Sequence, residues 1–140
     1  MLNDNIIPLL EKSLNNSNNK NIATLSFDTI DKEKEIIIKE LNLSKKYTNE
    51  LLQKLKDYQY IDEYPQLIEG RYIRWINITN PDIIKLMNGG ILCEIKIKDS
   101  ISLIMKNKNN YFFQVKLDEA LIFQRLTNQE KIILYAIDLI

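Results

Sequence analysis

The sequence predicts an α+β fold: a mostly helical N-terminal half, then a small antiparallel β-meander and a capped C-terminal helix. Three observations carry this. Apolar residues recur at intervals of three and four through the N-terminal half. From Ile91 to Leu117 they alternate with polar residues instead. Thr127-Asn128-Gln129-Glu130 then stands just ahead of a last apolar stripe, the pattern of a reciprocal helix cap.

Composition bounds the function. A chain of 140 residues suits one domain that buries about two-thirds of its unfolded surface. We divide it into an N-terminal helix and polar loop (1–21), a central part (22–78) and a meander with its closing helix (79–140). Nineteen basic residues balance nineteen acidic ones, so any grip on a polyanion requires a basic face hidden within a neutral total. No apolar run approaches the roughly 18 residues that span a bilayer, and no signal pattern opens the chain. A single cysteine, Cys93, has no partner for an intramolecular disulfide. The expectation is a soluble, intracellular protein of cytoplasm or nucleus, with no membrane partner. Histidine is absent, which removes the commonest general base and zinc ligand. No glycine-rich phosphate loop is present either, so no cofactor is expected.

The elements follow in order. Ile6, Ile7, Leu10 and Leu14 form the stripe of a first helix, which Asn5 can cap and whose first turn accommodates Pro8. Asn15 to Asn21 reads as a polar loop and a hinge, and Ile22 to Phe27 as a short strand. Asp31 to Leu41 carries Ile37, Ile38 and Leu41 at helical spacing, and Asn42 suits the helix end. Ser44 can cap a further helix whose apolar face is Tyr47, Leu51, Leu55 and Tyr58. Its opposite face carries Lys45, Asn49, Gln53 and Lys56. Tyr58 to Tyr64 and Arg71 to Ile78 then read as a strand pair joined by Pro65 to Gly70.

Helix, short turn, helix and β-hairpin in this order resemble a winged helix-turn-helix domain over residues 31–78. The resemblance implies that the second helix of the pair contacts DNA or RNA and that the hairpin is the wing. On that basis Lys45, Lys46 and Lys56 would meet phosphates, Asn49 and Gln53 would read base edges, and Arg71 and Arg74 would lie on the wing.

Thr79-Asn80-Pro81 breaks the pattern, and Asp82 to Met87 fits either a short helix or a strand before the turn Asn88-Gly89-Gly90. In the next strand Ile91, Cys93, Ile95 and Ile97 face inward, with Glu94, Lys96 and Lys98 outward. Ile101, Leu103 and Met105 are the inward set of a second strand. Tyr111, Phe113, Val115 and Leu117 are that of a third. With Arg71 to Ile78 and Leu121 to Leu126 added, the strands can close into a small SH3-like barrel. The capped helix presents Ile133, Ala136, Ile137 and Ile140, for packing on the buried face of the sheet or on a partner.

Two functional signals diverge. The leading expectation is a non-catalytic binding module with no catalytic or metal-binding residues. Its ligand is nucleic acid at the 44–58 helix, or a protein partner or second copy at the aromatic hairpin and C-terminal helix. Tyr58, Tyr60, Tyr64, Tyr72 and Trp75, beside Arg71 and Arg74, suit base stacking or a protein hot spot, or a half-buried joint between helices and sheet. The alternative is enzymatic. Pro81-Asp82 followed by Glu94-Ile95-Lys96 resembles the PD-(D/E)xK motif of Mg²⁺-dependent nucleases, which implies that Asp82 and Glu94 hold the cation and Lys96 positions water. Here, however, a turn and a strand follow Lys96, where that family has a helix. A structural subunit of a larger assembly is the third expectation.

Overall fold

In the computed structural model the described residues are 6–16, 19 and 25–139. Asn5, Ile22 to Thr24 and Ile140, which carried part of the expectations above, lie outside them. The described chain is α+β, and its contacts divide it into two compact units: 1–56 with 126–140, and 57–125.

The first unit holds four helices among the described residues: α1 (Ile6–Asn15), α2 (Phe27–Lys39), α3 (Lys45–Lys54) and α4 (Asn128–Asp138). Helix α2 starts earlier than the expected Asp31, because the Ser26 Oγ accepts from the Thr29 backbone N–H at 3.1 Å. Residues 25–27 therefore form a helix entry, not the end of a strand. Asn42 closes the turn after α2 with a left-handed φ of 54°, and Ser44 caps α3 by accepting from the Tyr47 N–H at 3.2 Å. Helix α3 ends before Tyr58, because strand pairing takes that residue.

The core of this unit is Ile30, Leu126, Ile133 and Leu134, with Leu10, Leu25, Phe27 and Ile137 against it. Helix α4, expected to pack on the sheet's buried face or on a partner, packs within its own unit on α1 and α2. Its cap forms as read: the Thr127 Oγ1 accepts from the Glu130 N–H at 3.1 Å, and the Thr127 N–H donates to Glu130 Oε1 at 2.9 Å. In α1 the small Ser13 is buried while Ile7 and Leu14 are exposed, so the buried face includes a residue outside the expected stripe. The Asn16 Nδ2 donates to Gln129 Oε1 at 2.7 Å, and the Asn19 Nδ2 donates to the same oxygen at 3.2 Å. Where a hinge was expected, these two side chains tie Asn16 and Asn19 to α4.

The second unit is a six-stranded sheet: β1 (Tyr58–Ile61), β2 (Tyr72–Asn77), β3 (Gly90–Ile97), β4 (Ile101–Lys106), β5 (Phe112–Lys116) and β6 (Ala120–Arg125). The order is β1-β6-β2-β3-β4-β5, and every pairing is antiparallel. Strands β3 to β5 form the expected meander, and β2 pairs beside β3. Strands β1 and β2 do not pair with each other, which corrects the expected hairpin. Strand β6 lies between them, with Ile122 opposite Ile61 on one side and Trp75 on the other. The physical reason is burial: Ala120 to Gln124 are all buried, and a strand apolar on both faces gains most at the centre of a sheet. The side chain of the buried Gln124 fixes the β1–β2 connection, accepting from the Ile68 N–H at 2.9 Å and donating to the Gln66 carbonyl at 3.2 Å.

A bulge between Leu92 and Glu94 changes the phase of β3. Leu92 is buried, whereas Ile91 and Ile97 are 43% and 56% exposed, so the single inward set expected for this strand is corrected. The sheet is also rolled. Strands β2 and β5 are three positions apart, about 14 Å on a flat sheet, yet the rings of Trp75 and Phe113 lie 5.2 Å apart. No ladder joins the outermost strands among the described residues, so the roll is held by core side chains. That core comprises Ile61, Leu67, Ile73, Trp75, Leu92, Leu103, Met105, Val115, Ala120 and Ile122.

Candidate functional site

The roll leaves a groove of about 840 Å³ on the second unit. Its walls are the segment after β2 and the β4–β5 turn. Asp82 to Met87 is neither helix nor strand; it folds back along β2, with a single bridge from Leu86 to Ile76. The Met87 N–H donates to the Trp75 carbonyl at 2.8 Å, and the Arg74 Nε donates to the Met87 carbonyl at 2.9 Å. The Tyr72 hydroxyl donates to the Asn88 carbonyl at 2.6 Å. These three bonds fix one wall and hold the Arg74 guanidinium and the Tyr72 ring against it.

Glycine is required at the foot of that wall. A Cβ on Gly89, whose φ is +106°, would meet the Ile73 carbonyl at 2.6 Å and the Tyr72 ring at 2.8 Å. On Gly90 it would meet the Lys106 carbonyl and the Phe113 ring, both at 2.9 Å. The two glycines let backbone pass directly beside aromatic rings.

The opposite wall is equally ordered. The Asn107 Oδ1 accepts from the N–H groups of Asn109 and Tyr111, at 2.9 and 3.1 Å. The Asn107 N–H donates to the Tyr111 carbonyl at 3.0 Å, and Asn110 takes a left-handed φ of 64°. This turn holds Tyr111 with 70% of its surface exposed, although the alternation of β5 had placed it inward. In all, the lining has four aromatic rings (Tyr72, Trp75, Tyr111, Phe113), three asparagines (Asn88, Asn107, Asn109), two cations (Arg74, Lys108) and no carboxylate. Trp75 belongs to the core and is 7% exposed, so the open π-faces are chiefly those of Tyr111 and Tyr72; beside them the lining offers amide donors and acceptors and positive charge.

The expected nucleic-acid residues are divided between the units. Lys45, Lys46, Asn49, Gln53 and Lys56 are all exposed on or just after α3. Lys46, Asn49 and Gln53 share one shallow cleft of about 460 Å³ with Glu50 and Lys54. Asn49, Gln53 and Lys56 share another, with Asp31 and Glu35 across from them. Arg71 and Arg74 belong to the second unit. Arg71 donates from Nη1 to the Arg125 carbonyl at 3.3 Å, and of the expected set Arg74 alone lines the groove. Asp82 stands in the turn after β2, its N–H donating to Asn80 Oδ1 at 3.1 Å. Glu94 and Lys96 are exposed on β3 beyond the bulge. Among the described residues no group of three or more His, Cys, Asp or Glu side chains could hold a metal ion.

Sequence reasoning missed Asn88, Asn107, Lys108, Asn109 and Tyr111 as site residues. For the residues from Asn107 to Tyr111 the signal is an aromatic residue directly after an asparagine-rich turn; Asn88 has no such signal.

No protein-family model matches the sequence, and no solved structure matches it. The chain is similar to the cysteine–tRNA ligase of Mesomycoplasma hyopneumoniae, 29% identical over an alignment of 127 positions; the match covers 76% of this chain and 31% of the ligase. It therefore spans about a third of that protein's length.

Proposed function

We propose that this chain is a nucleic-acid-binding module and that the groove of the second unit is its binding surface. The observation that carries this reading is the lining: four aromatic rings, three amides and two cations without a carboxylate. Phosphates favour the cations, bases favour the rings, and amides can pair with base edges. The similarity to a protein named for its action on a tRNA supports RNA as the polymer. Its catalytic activity is not carried over from so partial a match.

Fluorescence anisotropy of labelled RNA and DNA with the whole chain tests the reading. Saturable binding that drops when Tyr111 and Lys108 are both replaced by alanine is the expected result. Binding that is indifferent to both changes would remove the groove from consideration. The second reading uses α3, and the exposure of all five of its predicted polar residues favours it. Asp31, Glu35 and Glu50 line the same clefts, however, and these carboxylates repel phosphate. If Asn49→Ala with Gln53→Ala abolishes binding while the Tyr111 and Lys108 changes do not, α3 is the contact element.

A further inference from the structure

We infer that the groove takes unpaired bases of single-stranded RNA by stacking, so that it discriminates against a duplex and against a bare sugar–phosphate chain. This rests on the nucleic-acid reading above and specifies what that site selects. The argument starts from charge. Residues 57–125 carry nine basic and nine acidic side chains, and the groove itself offers only Arg74 and Lys108. Two phosphate contacts give a shallow salt dependence, a log–log slope of about −1.4 for a single strand. Phosphate attraction is too weak here to carry binding alone.

The rings have what the charges lack. The Asn107 turn fixes the backbone of Tyr111, and the side chain is 70% exposed, so its ring is open to a ligand. Tyr72 is anchored at the other wall by its hydroxyl. Trp75, 7% exposed, and Phe113 lie tilted against one another as part of the core and form the floor, so Tyr111 and Tyr72 are the rings left for stacking. A duplex hides its base faces in its own stack and shows only edges and phosphates. An unpaired strand can lay its bases on the rings.

The test compares three probes at two salt concentrations: a short mixed-sequence RNA strand, the same strand annealed to its complement, and an abasic strand with as many phosphates. The strand with bases should bind with the shallow salt slope, and the other two about tenfold or more weakly. Tyr111→Ala should weaken strand binding by about tenfold, while Tyr111→Phe should preserve it. Equal binding of the abasic strand or the duplex would overturn the stacking inference and leave the nucleic-acid reading standing. If none of the three binds at low salt, both fall. Binding of an extended proline-rich peptide in that case would assign the groove to a protein partner.

Discussion

Lys34 shows how a single residue can be placed against its type. It occupies the buried stripe of α2 between Ile30 and Ile38, only 2% exposed. Its ammonium donates to the Leu55 carbonyl at 2.9 Å and the Lys56 carbonyl at 3.3 Å, and pairs with Asp31 at 3.3 Å. The charge therefore sits at the negative end of α3 and satisfies carbonyls that the helix leaves open. Lys34→Ala should lower stability by about 2 kcal/mol in chemical denaturation, since it removes charged hydrogen bonds inside the unit. A loss near zero would mean that water replaces the ammonium.

Tyr58 gives a pH-dependent counterpart. Burial lifts its phenol above the usual 10.0, against the opposing pull of Arg74 and Arg125. The folded chain then keeps this proton to higher pH than the unfolded chain. Its contribution to stability is complete below the unfolded value and declines as pH rises through the folded one. In Tyr58→Phe the fall in stability above pH 10.0 should accordingly be shallower, as read by urea midpoints across that range.

At the scale of elements, β3 and the glycines before it control the site. The bulge at Leu92 and Glu94 re-aims the strand so that Leu92 joins the core, and Gly90 lets β3 start under the Phe113 ring. Gly90→Ala would set a methyl 2.9 Å from the Lys106 carbonyl, a backbone atom that cannot turn aside. A destabilisation of about 1–3 kcal/mol is expected, of the size seen when an extra methyl is forced into packed structure. Strand binding should weaken with it. If stability is unchanged and only binding falls, the glycine serves the groove and not the fold.

For the molecule as a whole, both units are electrically neutral: the first carries ten basic and ten acidic residues, the second nine of each. Heparin, which selects for net or clustered positive charge, should therefore retain the protein weakly and release it at low salt. Retention into high salt would expose a basic face larger than Arg74 and Lys108 provide. No helix among the described residues is long and apolar enough to cross a membrane.

The sequence by itself determined whatever depends on near neighbours in the chain. The capping box of Thr127 and Glu130, the Ser44 cap, the helix end at Asn42 and the β3-to-β5 meander were all legible, because each is fixed by residues a few positions apart. What only the tertiary structure decided were the long-range choices. Pairing with β6 took Tyr58 out of a helix and separated β1 from β2, and α4 packed on α1 and α2. No local pattern encodes which distant strand offers the larger buried area. The site followed the same division. Arg74 was identified as a candidate from sequence, but its groove exists only because the rolled sheet brings Tyr72 and Gly89 within reach of Tyr111 and Lys108, and the fold, not their spacing in the chain, makes them neighbours.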